Sequence, residues 1–447
     1  MQGSGNTHTT YKQIWQVSYP IIIGLMAQNL MVVIDTAFLG RLGEVTLGAS
    51  AIGGIFYLCL VMLGAGFAVG VQILIGRRNG EGKLQQIGSI FDHANFFMIA
   101  LALILFMFMT YLAPAVLSLF MQSEAVLHES IVFLSYRRFG FLFGFLVLSF
   151  NAFYIGITRT RILIASTVIM AVINIVLDYL LIFGYGIFPA LGIAGAAIAT
   201  NISELLTFSF LLVWVSAGKT LKTYSLFSVR RPNWLAYKPI FKVAVPVMFQ
   251  YFLSFSAWFV FFMIIEQIGE TALAASNITR SFYMLMMIPV WGLSSTTNTL
   301  VSNLIGQGRT DEVIPLIRKI LVMGVGATIV IAQVNIFFPD EIISFFTNEP
   351  QLYEATRPLL RVVSLALVAF SFGMIIFSGL SGTGKTQVAL FIEILSIIFY
   401  LLVAFILAVL FKGSAPVVWF VEVVYFSILG IASYAYLKTG KWKVYHI

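Results

Sequence analysis

Charge is scarce in this 447-residue chain: Asp, Glu, Lys and Arg together make up 10% of it, against roughly 25% in soluble domains. Cysteine is scarcer still. Cys59 stands alone in an apolar run, which excludes intramolecular disulfides and any thiolate metal cluster. Four histidines are scattered without zinc spacing. Polar stretches long enough to build a soluble domain are missing too. What remains is 60% hydrophobic with a mean hydropathy of +0.98, the composition of an integral membrane protein embedded in a lipid bilayer.

A spanning helix with its connection takes roughly 35 to 40 residues, so the length predicts about twelve spans. Apolar runs between polar punctuation place them near 13–40, 46–75, 91–118, 128–157, 162–184, 190–216, 239–266, 272–305, 313–338, 354–380, 386–411 and 415–437. The opening MQGSGNTHTT is polar, and the apolar stretch behind it is far longer than a signal-peptide core, so no cleaved secretory signal is visible. The net charge of +8 raises nucleic acid as a partner, but the basic residues sort by loop. With the N-terminus inside, 19 of the 26 Lys and Arg fall on inner segments. That asymmetry predicts both termini in the cytoplasm, explains the basic balance, and leaves no role for nucleic acid.

The chain repeats itself. YKQIWQVSYP at 11–20 returns as YKPIFKVAVP at 237–246, and LGEVTLGAS at 42–50 as IGETALAAS at 268–276, both 226 residues on. Gapless pairing of 11–50 with 237–276 gives about ten identities in forty positions. LIG at 74–76 matches LIG at 304–306 with a shift of four more. Six spans per copy return the second copy in the same orientation, so an all-α polytopic protein is expected, with two six-helix lobes related by a pseudo-two-fold axis along the membrane normal. The expected boundaries are an N-terminal lobe at 1–216, a basic cytoplasmic linker at 217–236 and a C-terminal lobe at 237–447. A cleft between lobes is a natural substrate cavity.

GLSGTGKT at 379–386 fits the phosphate-binding pattern G-x-x-x-x-G-K-[ST]. A P-loop needs a strand before it and a helix after it, whereas this octapeptide lies between two apolar runs of membrane-helix length. The first copy carries YIGITRTR at 154–161 at the equivalent inner loop, with Gly156 aligned to Gly379 and Thr160 to Thr383. It lacks Gly-Lys, so the shared feature is a tight basic turn. No nucleotide, no cofactor and no enzymatic reaction are expected.

DTAFLGRLGEVTLGAS at 35–50, the turns GITRTR and GLSGTGKT, and NIVLDYLLIFGYGIFPALGIAGAAIAT at 174–200 resemble the multidrug and toxic compound extrusion (MATE) family over nearly the whole chain. The resemblance implies a secondary-active exporter in the plasma (inner) membrane that exchanges organic cations or lipophilic drugs for Na⁺ or H⁺ by alternating access. A lipid-linked oligosaccharide flippase of the same broad superfamily is the alternative, and it would draw on Arg137, Arg138, Arg280 and Arg361. Short loops are compatible with a monomer.

Ionisable groups inside hydrocarbon are costly, so each marks a functional hypothesis. Asp35 lies five residues before Gly40 at the outer end of the first helix, and Asp178 six before Gly184 at the outer end of the fifth. Both helices run the same way, which puts the carboxylates at similar depth. Asn174 shares a helix face with Asp178 at i, i+4. With the Thr200 hydroxyl these groups form an oxygen-rich site suited to Na⁺; alternatively the two carboxylates hold a proton between them. The bland alternative is hydration near the outer headgroups. The resemblance favours function for both acids and adds Asn151, Asn174 and Thr200 in the same lobe.

Asp35 pairs with Phe261 in the second copy, and the 223-residue offset of the glycine turns pairs Asn174 with Ile397 and Asp178 with Leu401. Coupling is therefore expected in the N-terminal lobe. Glu393 and Glu422 are open between a second-lobe site and pairing with a neighbouring helix, Glu204 is unassigned, and Glu266 marks an outer boundary. Pro20 and Pro246 occupy equivalent places in the first and seventh helices and are candidate bending points for gating. Tyr251, Trp258, Met284 and Met287 are candidate cavity residues, offering aromatic faces to cations and an adaptable thioether surface.

Overall fold

Peptide groups in a bilayer have no water to bond to, so long apolar runs satisfy their backbones by folding into helices. In the computed structural model, residues 9–119, 121, 123–347 and 349–443 are described; within them the chain is helical with no strand. The first eight residues of the polar N-terminal stretch lie outside the described set. The twelve long helices are α1 (Tyr11–Gly40), α2 (Glu44–Gly80), α3 (Leu84–Tyr111), α4 in two arms (Glu124–Arg137 and Gly140–Gly156), α5 (Arg161–Phe183), α6 (Ile193–Ala217), α7 (Trp234–Glu266), α8 (Glu270–Gly306), α9 (Val313–Phe337), α10 (Pro350–Gly382), α11 (Thr386–Phe405) and α12 in two arms (Ala415–Trp419 and Val421–Lys438). A π-helical turn, Ile406–Leu410, continues α11. Ten of these spans are long and apolar enough to cross a membrane, and α4 makes an eleventh when its arms are taken as one. α8 has the length, but Ser294, Thr296, Thr297, Asn298, Thr299, Ser302 and Asn303 are all buried along it. Several turn their polar groups back onto the helix: Thr296 and Thr297 donate to the Gly292 and Leu293 carbonyls at 2.9 and 2.8 Å, and Asn303 to that of Thr299 at 2.9 Å.

The two copies keep one register. α2 and α8 start at 44 and 270 and end at 80 and 306; α3 and α9 end at 111 and 337; short helices Ala113–Ser118 and Pro339–Ser344 follow; α4 and α10 start at 124 and 350 and end at 156 and 382. Every pair is 226 apart. Positive backbone φ recurs at Gly43 and Gly269, Gly82 and Gly308, Thr158 and Gly384, and Gly186 and Lys412, again 226 apart. This corrects the shifted matches. The LIG coincidence is fortuitous, and Gly156 corresponds to Gly382 because both end a helix two residues before the left-handed turn residue. Asn174 and Asp178 accordingly correspond to Tyr400 and Ala404. GLSGTGKT closes α10, passes through a left-handed turn at Gly384 and opens α11; no strand supports a phosphate loop there.

Two further departures have clear causes. α3 begins at Leu84 rather than near 91, because its polar first turns are occupied side chains: Asp92 accepts the backbone N–H groups of Phe227 and Val229 at 2.8 and 3.0 Å, and His93 Nε2 that of Asn233 at 3.1 Å. The basic linker is thereby strapped to α3. α4, expected as one helix, bends by 54° between its arms. The Asn201 side chain donates to the Tyr136 carbonyl at 2.7 Å at that break.

Contacts divide the chain into two units. One is Ile23–Phe252, and the other combines the chain up to Ile22 with Leu253–Ile447. Pro20 and Pro246 both lie inside helices, a few residues before these changes of unit in α1 and α7. In the Ile23–Phe252 unit, Gly66 and Gly70 on one face of α2 let the α7 backbone approach so closely that a Cβ at Gly70 would lie 2.3 Å from the Ala244 Cα. Close backbone approach of this kind replaces the hydrophobic effect as the packing force in lipid. In the other unit, a core around Tyr283, Phe370, Trp419 and Phe426 does the same work with large aromatics.

Candidate functional site

The Met170–Asn174–Asp178 line of α5 has a four-residue period, so these side chains share the buried face of that helix. Asn174 and Asp178 are both fully buried. Asp35, on α1 in the same unit, reaches the Asp178 carboxyl within hydrogen-bonding range. A carboxylate only accepts, so a bond between two carboxyl groups requires a proton on one of them. Apart from each other these acids are short of partners: Asp35 Oδ1, Asp178 Oδ1 and Oδ2, and Asn174 Oδ1 are buried without a hydrogen-bond donor. Four oxygens thus converge with unused lone pairs, a donor set that fits a proton or a hard cation.

Asn174 Nδ2 donates to Thr200 Oγ1 at 3.3 Å, and that hydroxyl donates to the Ala196 carbonyl at 2.9 Å. Thr200 therefore fixes which end of the Asn174 amide faces the acids, leaving Oδ1 free for the site. Asn151 sits half-buried near the end of the second arm of α4, and among the described residues no hydrogen bond joins it to this set. Of the candidate cavity residues, Met287 belongs to a hydrophobic core, while Tyr251, Trp258 and Met284 are half-buried. Cys59 is half-buried in α2.

Sequence reasoning missed an ion pair in the same unit. Arg137, at the break in α4, donates from Nη2 to Glu204 Oε1 at 2.5 Å and from Nη1 to Glu204 Oε2 at 3.0 Å and to Asn201 Oδ1 at 2.7 Å. Its guanidinium also lies over the Tyr57 ring, 4.3 Å from the centroid. The legible signals were Asn201 and Glu204 at i, i+3 on an apolar helix and two glycines, Gly140 and Gly144, at i, i+4 just beyond an arginine.

The other unit carries acids of a different kind. Glu393 Oε1 accepts from Ser254 at 2.5 Å and Tyr425 at 2.7 Å, and Glu422 Oε1 accepts from Tyr400 at 2.6 Å. These carboxyls are held by hydroxyl donors on one oxygen each, with Glu393 Oε2 buried and unbonded.

The MatE family model matches residues 20–180 and again 246–406, two segments in the register of the helices, and the chain belongs to that family. Over 97% of its length it is 26% identical to a probable multidrug resistance protein NorM of Thermotoga maritima, of which 93% is covered. A protein of the same name from Rhizobium meliloti is 25% identical over the full chain and 95% of the relative. Among solved structures, a MOP superfamily transporter of Pyrococcus furiosus has a TM-score of 0.90 at 20% identity with 97% of both chains covered. A mutant of the Vibrio cholerae MATE transporter VcmN gives 0.87 at 20%, with 97% of this chain and 98% of that one. The fold is that of these twelve-helix, two-lobed transporters.

Proposed function

We propose that the protein is a cation-coupled multidrug exporter of the plasma membrane, with both termini cytoplasmic, and that Asp35 and Asp178 carry the coupling ion. The observation that supports this reading is the pair itself. Two carboxyl groups meet inside a spanning bundle with three of their oxygens buried and given no donor by the rest of the protein. Neither acid is salt-bridged among the described residues, so the pair is neutralised by whatever cation it takes up. The carboxyl-to-carboxyl approach favours H⁺, with Na⁺ drawing on the same oxygens and on Asn174 Oδ1.

Antiport follows from the charge of the pair. Loaded, it is compatible with an apolar interior; emptied, it is an uncompensated anion that draws in either a new coupling ion or a cationic substrate. The multidrug names of the NorM relatives supply the substrate class, amphiphilic or cationic small molecules. The lobes 1–216 and 237–447, joined by the linker at 217–236, are the bodies that exchange access. Ion coupling makes this a transporter without nucleotide chemistry.

The test is efflux from proteoliposomes under H⁺ and Na⁺ gradients imposed separately, with Asp35→Asn and Asp178→Asn alongside. Each variant is expected to lose gradient-driven efflux, by about a hundredfold or more, because an amide cannot exchange a cation. Undiminished efflux in both would remove the site.

A further inference from the structure

The Arg137–Glu204 pair is built with care that the fold does not require. In the register of 226, Arg137, Gly140 and Gly144 correspond to Val363, Ala366 and Phe370, and where Gly144 faces Glu204 the Phe370 ring meets Phe426 with centroids 4.8 Å apart, so the other copy fills the same junction of helices without a charge. Tyr57 corresponds to Tyr283, whose ring packs on Phe370 with centroids 6.5 Å apart where Tyr57 receives a guanidinium. Apolar packing commonly replaces a buried ion pair without loss of stability. The charged version stands only in the copy that holds Asp35 and Asp178.

Geometry shows what the pair restrains. Gly140 leaves the notch in which the guanidinium lies: a Cβ there would fall 1.6 Å from Arg137 Nη1 and 2.8 Å from Asn201 Oδ1. A Cβ at Gly144 would touch the Glu204 carboxyl at 3.4 Å. Glu204 from α6, Asn201 from α6 and Tyr57 from α2 hold the cation, while Asp35 on α1 lies within its electrostatic reach. Asp35 in turn faces Asp178 from α5 and Arg137 from α4. A guanidinium never gives up its charge and prefers a carboxylate that meets its fork. Deprived of Glu204, the other carboxyl that attracts it is Asp35.

We propose that Glu204 is a positioning residue that holds Arg137 off Asp35, keeping the protein's own cation out of the ion site. This rests on Asp35 being a coupling residue. When the restraint is lost, Arg137 occupies the place of the exchanged cation and the site is locked.

Three variants test it in proteoliposomes under an H⁺ gradient. Glu204→Gln should lose efflux by roughly tenfold or more, since one partner of a buried pair is removed. Adding Arg137→Gln should restore it to within about threefold of the unaltered protein, since no buried cation then lacks a carboxylate. Gly140→Ala displaces the guanidinium by a different route, and its loss should be relieved by the same Arg137→Gln change. Efflux in Glu204→Gln equal to the unaltered protein, or losses that Arg137→Gln fails to relieve in both backgrounds, would overturn the proposal.

A chemical readout separates this from the coupling assignment. A hydrophobic carbodiimide modifies a carboxyl that is protonated and free, and mass spectrometry locates the adduct. Asp35 should be labelled in the purified protein, protected in Glu204→Gln and labelled again when Arg137→Gln is added. Unchanged labelling in Glu204→Gln would overturn the restraint. If labelling follows the expected pattern while Asp35→Asn still transports, the restraint stands and the coupling assignment falls.

Discussion

Asp35 and Phe261 occupy the same place in two copies of one scaffold, and so do Asn174 and Tyr400. In the first copy the place is filled by acids and an amide with unused lone pairs. In the second, the Phe261 ring stacks on Tyr400 with centroids 5.3 Å apart and meets Trp419 edge-on at 5.4 Å. The Tyr400 hydroxyl then serves Glu422, an acid on another helix. The difference teaches that backbone and chemistry have separated. By the proposed reading, the same crossing of helices takes a cation where its polar atoms are left short of donors, and it is a packed core where aromatics fill it.

The largest test of that contrast is the pair of amide variants at Asp35 and Asp178 already described, followed by Glu204→Gln. Glu393→Gln and Glu422→Gln probe the other copy. A Gln oxygen still accepts from Ser254, Tyr425 and Tyr400, so gradient-driven efflux should stay within about threefold, the scale of a neutral hydrogen-bond change near 1 kcal/mol. Loss of coupling in either would make the second copy an ion site as well and end the contrast. Thr200→Ala should do less than removing the acids: the Asn174 amide loses its anchor at about 1 kcal/mol, and efflux falls a few-fold, whereas an unchanged rate would deny Thr200 its orienting role.

The smallest effect concerns loops. Burial pushes the Glu81 carboxyl up, but its ion pairs with Lys83 and Arg78 outweigh this and hold it below the ordinary value of 4.5. A carboxylate held low in the folded state stabilises fully above its unfolded value and loses that contribution as the pH falls through the folded one. Thermal unfolding of Glu81→Gln should match the unaltered protein at low pH and fall short above about pH 5 by less than about 1 kcal/mol, this being a largely solvated pair. The corresponding loop instead pairs Arg309 with Glu312 at 2.7 Å.

Twelve helices and most of their ends were legible because a bilayer imposes one answer on a long apolar run. The bend in α4 was not, since no Pro marks residues 138 and 139 and the Arg137–Arg138 pair read as two charges within one long run; it is tied to Asn201, some sixty residues away. Asp35, Asn174 and Asp178 were visible as polar residues in apolar helices. Their meeting depends on the approach of α1 to α5, which no local pattern encodes. Glu204 was visible but mute, because its meaning lies in Arg137, and the arginine suggested an anionic substrate as readily as an internal partner. The register failed for a statistical reason: three-letter matches among Leu, Ile and Gly are cheap in a membrane protein, and only turn geometry separates kinship from coincidence.

A spacing of 226 maintained from α1 through the end of α10 also constrains the history of the chain. Loops usually absorb insertions and deletions first, yet from Gly43 to Thr158 each left-handed turn has its counterpart in step. Across the first four helices of each copy, divergence has therefore proceeded by replacement of side chains with the length of the backbone held constant. The first four helices of the two halves should be exchangeable as cassettes, cut at equivalent turns, without any adjustment of linker length.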